Sequence, residues 1–179
     1  MVDVSVSPPT WFDGPVPPES EDLVALLHKA WQGEWYGVRV YGELAATRTD
    51  PSETATMLEL VVLETYVLGE LTVALLSLGI EPDSGPMEAE ADVDLAEHVS
   101  DDWLTLIGWL HSDAEVALGH YRPLPELAAS DPSLAGLAHL VVAHEEALIS
   151  FAQRTLAGEP DALNDVRALL RVDGEPSGA

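Results

Sequence analysis

Apolar residues recur every three to four positions along most of this chain, and strand-like alternation is almost absent. The first run predicts a helix over residues 21–48, capped by Ser20. Leu23, Leu27, Ala30, Glu34, Gly37 or Val38, Tyr41 and Leu44 form its inward seam. A second helix is expected over residues 51–78, with Asp50 as cap, Pro51 in the first turn and Gly79 as the stop. Its seam reads Met57, Val61, Glu64, Leu68, Leu71, Leu75 and Leu78. A third helix over residues 95–122 carries Trp103, Leu106, Ile107, Leu110, Ala114, Ala117 and Tyr121. A fourth opens at Asp131-Pro132 and closes at Gly158, and a shorter fifth spans residues 161–171.

The connections turn this list into an architecture. Only a few residues join helices one and two, so the pair is an antiparallel hairpin, and the Pro-broken turn over residues 123–130 makes a second hairpin of helices three and four. Between the hairpins lies an acidic segment rich in Pro, Gly and Ser, residues 81–94. Extended, it reaches roughly 46–50 Å at about 3.3–3.6 Å per residue, more than the roughly 40 Å length of a 27-residue helix. The prediction is all-α: a four-helix bundle over residues 21–171 with one long crossover between helices two and three, plus a short C-terminal helix. Residues 1–20, dense in proline, read as an extended arm with Trp11 and Phe12 as anchors to the body. Residues 172–179 read as a flexible tail.

Composition narrows the function. Seven basic residues stand against 32 acidic ones, a net charge of −25, which leaves no cationic patch for nucleic acid or an anionic membrane surface. There are no cysteines, so disulfides, thiolate metal sites, iron–sulfur clusters and a cysteine nucleophile are excluded. The greasiest run, residues 60–78, is interrupted by Glu64 and Glu70, and no secretory leader is recognisable, so the expected location is the cytoplasm. Phosphate-binding glycine loops and a serine-nucleophile elbow are missing, and Lys29 is the single lysine. Trp31, Trp35, Trp103 and Trp109 read as core or interface side chains, and with the arm they predict a homodimer.

The chemistry lies in charges that fall on apolar seams. Glu34 and Glu64 sit in phase with the inward faces of their own helices, at similar distances before and after the turn at Thr49-Asp50, and should face each other at mid-bundle. An ionised carboxylate in a core needs a cation, a proton or strong hydrogen bonds. On helix four two phases are open. Leu137, Val141, His144, Leu148 and Phe151 fit one, while Leu134, Ala138, Val141, Glu145, Leu148 and Ala152 fit the other. On helix three His111, Asp113, Glu115 and His120 interrupt the apolar face, with Asp113 and His120 on one flank and His111 and Glu115 on the other.

Several short motifs then carry a resemblance. Gly33-Glu34 with Tyr41 and Leu44-Ala45, Leu63-Glu64 with Leu75 and Leu78-Gly79, Glu115 with Tyr121-Arg122, and Asp131-Pro132 leading to His144-Glu145-Glu146 occur in this order. Together, over residues 21–158, they resemble the four helices of the rubrerythrin-type ferritin-like superfamily. The resemblance implies a carboxylate-held diiron or manganese centre that activates dioxygen to oxidise a small molecule. It implies Glu34, Glu64, Glu115 and Glu145 as metal ligands, and Tyr41 as the tyrosine two turns beyond the first of them. The family's second and fourth helices carry Glu-x-x-His. Here Val67 and Leu148 stand at those histidine positions. The site would therefore recruit His111, His120 or His144, since imidazole with carboxylate suits iron or manganese. The alternatives are a metal-free bundle that binds a ligand or partner, and a cofactor-free enzyme whose seam acids shuttle protons. In either, the acids are protonated or bonded to Tyr36, Tyr41, Tyr66 or Tyr121.

Overall fold

Three aspartates set where long helices begin. Asp50 accepts a hydrogen bond from the Ser52 amide at 2.7 Å, Asp102 from Thr105 at 3.0 Å and Asp131 from Ser133 at 3.0 Å, each satisfying a helix-end donor. Pro51 and Pro132 occupy first-turn positions where no amide hydrogen is needed. Beyond two of the helices the chain turns through left-handed glycines, Gly79 at φ 76° and Gly158 at φ 68°. The computed structural model describes residues 23–85 and 87–171. The expected arm with Trp11 and Phe12, the Ser20 cap and the tail lie outside the described residues.

The described residues are all-helical: α1 Leu23–Thr47, α2 Pro51–Ser77, α3 Met87–His98, α4 Trp103–Tyr121, α5 Leu124–Leu127, α6 Pro132–Leu156 and α7 Asn164–Arg171. Helix α1 packs chiefly on α2, and α4 on α6. Contacts of α2 with α6 and of α1 with α4 join the two pairs around one core. Helix α7 lies against α6 and α2, pinned by the Arg167 guanidinium, which donates twice to Glu59 at 2.7 Å.

The expected third helix is corrected. Residues 99–102 break it, and Asp102 starts α4 afresh, so α3 belongs to the crossover. The crossover is therefore partly helical rather than extended. Met87, Ala91 and Asp94 recur at helical spacing and are buried, though acids fill four of the nine other positions of α3. The segment is strapped along α1. Tyr36 donates to Asp94, Arg39 pairs with Asp92 and donates to the Glu88 carbonyl at 3.0 Å, and Gln32 donates to the Asp83 carbonyl at 2.9 Å. The turn over residues 123–130 holds the single helical turn α5, and the last helix starts at Asn164 rather than 161.

Helix α2 is rotated from its expected seam. Leu60, Leu63 and Val67 are buried beside Met57, Glu64, Leu71 and Leu75, whereas Val61 and Leu68 are half-buried and Leu78 is exposed. The four tryptophans find partners inside this one chain. Trp109 is core, Trp31 donates to Thr72 Oγ1 at 2.7 Å, Arg39 lies over Trp35, and Trp103 packs on the core edge. Helices α2 and α6 are long and apolar enough, by length and composition alone, to cross a membrane. Each carries buried ionisable groups at its middle and packs on the other helices.

Candidate metal centre

Each long helix delivers an acid to one level of the core. Glu34 comes from α1, Glu64 from α2, Asp113 from α4 and Glu145 from α6, and His144 beside Glu145 is the imidazole among them. All five are buried, His144 leaving only 1% of its surface exposed. The ring sits between the two hairpins. Its Nε2 lies 3.0 Å from Glu64 Oε1, and its Nδ1 lies 3.3 Å from Glu34 Oε1 and 3.7 Å from Glu145 Oε1. One ligand atom each from Glu34, His144 and Glu145 fall within 4.8 Å of one another. Glu34 Oε2 and Asp113 Oδ1 are buried without a hydrogen-bond partner among the described residues.

The expected facing of Glu34 and Glu64 across the α1–α2 hairpin is met, and α1 makes it possible through a missing side chain. A Cβ built on Gly37 would lie 2.3 Å from Glu64 Oε2 and 2.8 Å from its Cδ. The carboxylate of α2 thus rests against bare α1 backbone, where only glycine leaves room. On α6 both alternative phases are realised, because consecutive His144 and Glu145 straddle the middle of a buried face that also includes Val141, Leu148 and Ala152. Tyr36, Tyr41 and Tyr121 close the space around the acids. The cavity they leave measures about 20 Å³, room for one water-sized occupant.

The environment is unfavourable for ionised acids. Burial first pushes the Glu34 and Asp113 carboxyls well above the usual range. At Glu34 it prevails over the opposing pull of His144 with help from Glu64 and Glu145, and at Asp113 the Glu145, Asp94 and Glu64 carboxylates add to it. Burial also raises Glu145, against the opposing pull of His144. For His144 burial favours the neutral ring, but Glu34 and Glu64 together outweigh it and hold the imidazole protonated well beyond its ordinary range. Burial followed by the surrounding negative charge keeps Tyr41 and Tyr121 as neutral phenols.

Of the residues singled out from the sequence, Glu34, Glu64, His144, Glu145 and Tyr41 come together here. His111 and Glu115 do not. They form a pair 3.8 Å apart on the outer flank of α4, Glu115 58% exposed, and His111 Nε2 faces the Gln153 amide at 3.1 Å. The reason is the face that α4 turns inward. Leu106, Leu110, Ala114, Ala117 and Tyr121 define it, and Asp113 lies on its buried flank whereas Glu115 lies opposite. Leu148, at an expected histidine position, lines the cavity with an aliphatic wall, and Val67 is core. The sequence places Gly37 or Val38 on the Glu34 seam, and the contact with the Glu64 carboxylate selects Gly37. Compared with protein-family models, with curated proteins and with solved structures, the chain finds no match, and the site alone carries the functional argument.

Proposed function

We propose that this protein is a ferritin-like helical bundle whose core binds iron or manganese, and that it is an oxidoreductase acting on a small molecule. The observation that carries this reading is the convergence of Glu34, His144 and Glu145 within 4.8 Å, beside a Glu34 oxygen that has no hydrogen-bond partner among the described residues. Two antiparallel hairpins, a long connection between them and an acid at one level of every long helix support the ferritin-like part. Mixed carboxylate and imidazole donors suit iron or manganese. Such an ion would supply one-electron chemistry toward dioxygen or a peroxide. The chain's own contribution is to hold the donors in place, keep Tyr36, Tyr41 and Tyr121 as neutral phenols around them, and exclude bulk water. A cavity of about 20 Å³ is filled by one ion and leaves no room for a small-molecule substrate beside it, so oxidation would proceed by electron exchange through the wall.

The test is elemental mass spectrometry on protein expressed in iron- and manganese-supplemented medium. Metal should co-purify with the wild-type chain and be lost from Glu34→Ala. A metal-free wild type would sink the reading. In that event the His144–Glu64 contact of 3.0 Å favours a second one, in which the acids and the imidazole share protons as a cofactor-free network. Glu64→Gln, which keeps the shape and removes the charge, would then be neutral or stabilising.

A further inference from the structure

We infer that the centre takes a single divalent ion, held by Glu34, His144 Nδ1 and Glu145, and that Glu64 is a positioning residue on the far nitrogen of His144. This rests on the metal-centre reading. The two nitrogens of an imidazole point away from each other, so they cannot serve the same ion. Nδ1 faces the Glu34 and Glu145 oxygens at 3.3 and 3.7 Å, the side on which donor atoms gather. Nε2 is already taken up by Glu64 at 3.0 Å. A carboxylate that accepts the other N–H of a ligating histidine fixes its tautomer and ring orientation and raises its basicity. Gly37 supports that role, because its bare backbone is what lets the Glu64 carboxylate lie where the ring needs it.

Size argues for one ion. Paired metals stand roughly 3.5–4 Å apart and share bridging donors, whereas the cavity here is about 20 Å³ and admits one water-sized occupant. The cluster offers one imidazole, and the wall beside Glu145 is the aliphatic Leu148. Asp113 lines the cavity, but it is outside the set whose ligand atoms converge.

Chelator-stripped full-length protein titrated with manganese(II) alone tests this by calorimetry and electron paramagnetic resonance. The expected result is one manganese per chain with the resolved hyperfine signal of an isolated ion. Glu34→Ala and Glu145→Ala should abolish binding. Glu64→Gln should still bind one ion about 10–100-fold more weakly, the usual loss for an outer partner. Two ions per chain, or an exchange-coupled signal, would overturn the single-ion inference and leave the metal-centre reading standing. Complete loss in Glu64→Gln, with a wild-type circular dichroism spectrum, would make Glu64 a ligand and overturn its assignment. No binding by the wild-type chain would remove the metal-centre reading itself. The wild-type stoichiometry decides the number of ions even if a variant fails to fold.

Discussion

Replacing Gly37 by alanine tests the geometry of the site without touching any of its charges. In an ordinary helix interior this change is favourable by about 0.5–1 kcal/mol, because glycine loses more backbone freedom on folding. Here the new methyl would lie 2.3 Å from Glu64 Oε2, 2.8 Å from Cδ and 3.2 Å from Cγ. Normal contact is about 3.5–4 Å, so the carboxylate has to withdraw by more than an ångström in a buried site with only about 20 Å³ of free space. Overpacking of this kind costs about 1–3 kcal/mol. Withdrawal also breaks the 3.0 Å contact with His144, a charge-assisted bond of about 1.5–3 kcal/mol. Against the propensity gain of about 0.5–1 kcal/mol, the net expectation is destabilisation by about 1.5–5.5 kcal/mol.

The assay is urea denaturation of Gly37→Ala beside Gly69→Ala, an exposed helical position with open space where the methyl goes. The control should be stabilised by about 0.5–1 kcal/mol. Truncating Glu64 to alanine removes the atoms that clash, so the Gly37→Ala penalty should vanish in that background, a coupling that a double-mutant cycle reads directly. If Gly37→Ala is as stable as its control, or its penalty survives in the Glu64→Ala background, Glu64 does not lie against α1 and the site as described is wrong.

Other outcomes follow from the same contacts. Metal-stripped protein should lose stability as pH rises from about 5 to about 8. Glu34, Glu145 and His144 hold their protons more tightly folded than unfolded, so the folded state binds the excess protons and stability falls with pH. A thermal midpoint that rises over that range, or one whose slope Glu34→Gln does not flatten, would contradict the assignment. Tyr36→Phe removes the hydroxyl that donates to Asp94 and should cost about 1–3 kcal/mol, with faster amide exchange confined to α3; unchanged exchange there would mean that the strap is held elsewhere. A dimer of about twice 19.2 kDa is expected by light scattering. It would form through the α2 face where Leu58, Val62, Val73 and Leu76 are exposed, an uncharged stripe on which two strongly acidic chains can meet. Val62→Glu with Val73→Glu should give monomer, and a wild-type monomer would end that expectation.

How much of this was legible beforehand differs from element to element. Helices α2 and α6 announced themselves because their caps, prolines and the glycines beyond their ends agree with an apolar period, and α1 did so by its apolar period alone. The meeting of Glu34 and Glu64 followed from counting residues on either side of one tight turn. Helix α3 was hidden because a short helix that lies on the outside of a neighbour needs only Met87, Ala91 and Asp94 to face inward, and such a sparse period is swamped by surrounding acids. The phase of α4 could not be read from α4 alone. Four polar residues interrupt its apolar face, and the choice of Asp113 over His111 and Glu115 is made by the α6 surface that it packs against. The roll of α2, which buries Leu63 and Val67 in place of Val61 and Leu68, has the same origin: a helix this apolar all round leaves its orientation to its neighbours.

The charge within the core carries the last step. Glu34, Glu64, Asp113 and Glu145 surround one imidazole, so a proton on His144 offsets only one carboxylate. The remaining acids are compensated either by protons or by a cation, and the two solutions place different demands on the walls. A protonated carboxyl is a donor and needs an acceptor within reach. Glu34 has one, because its carboxyl shares a hydrogen bond with the Glu64 side chain, which favours the protonated form. A cation makes the opposite demand. It requires converging lone pairs with nothing already bonded to them, which Glu34 Oε2 supplies next to His144 Nδ1 and Glu145. Glu34 can therefore meet either demand, and the metal content of the purified protein decides between them. At Asp113, the acid outside the converging set, a proton is the cheaper solution, since burial first and the Glu145 charge after it oppose its ionisation.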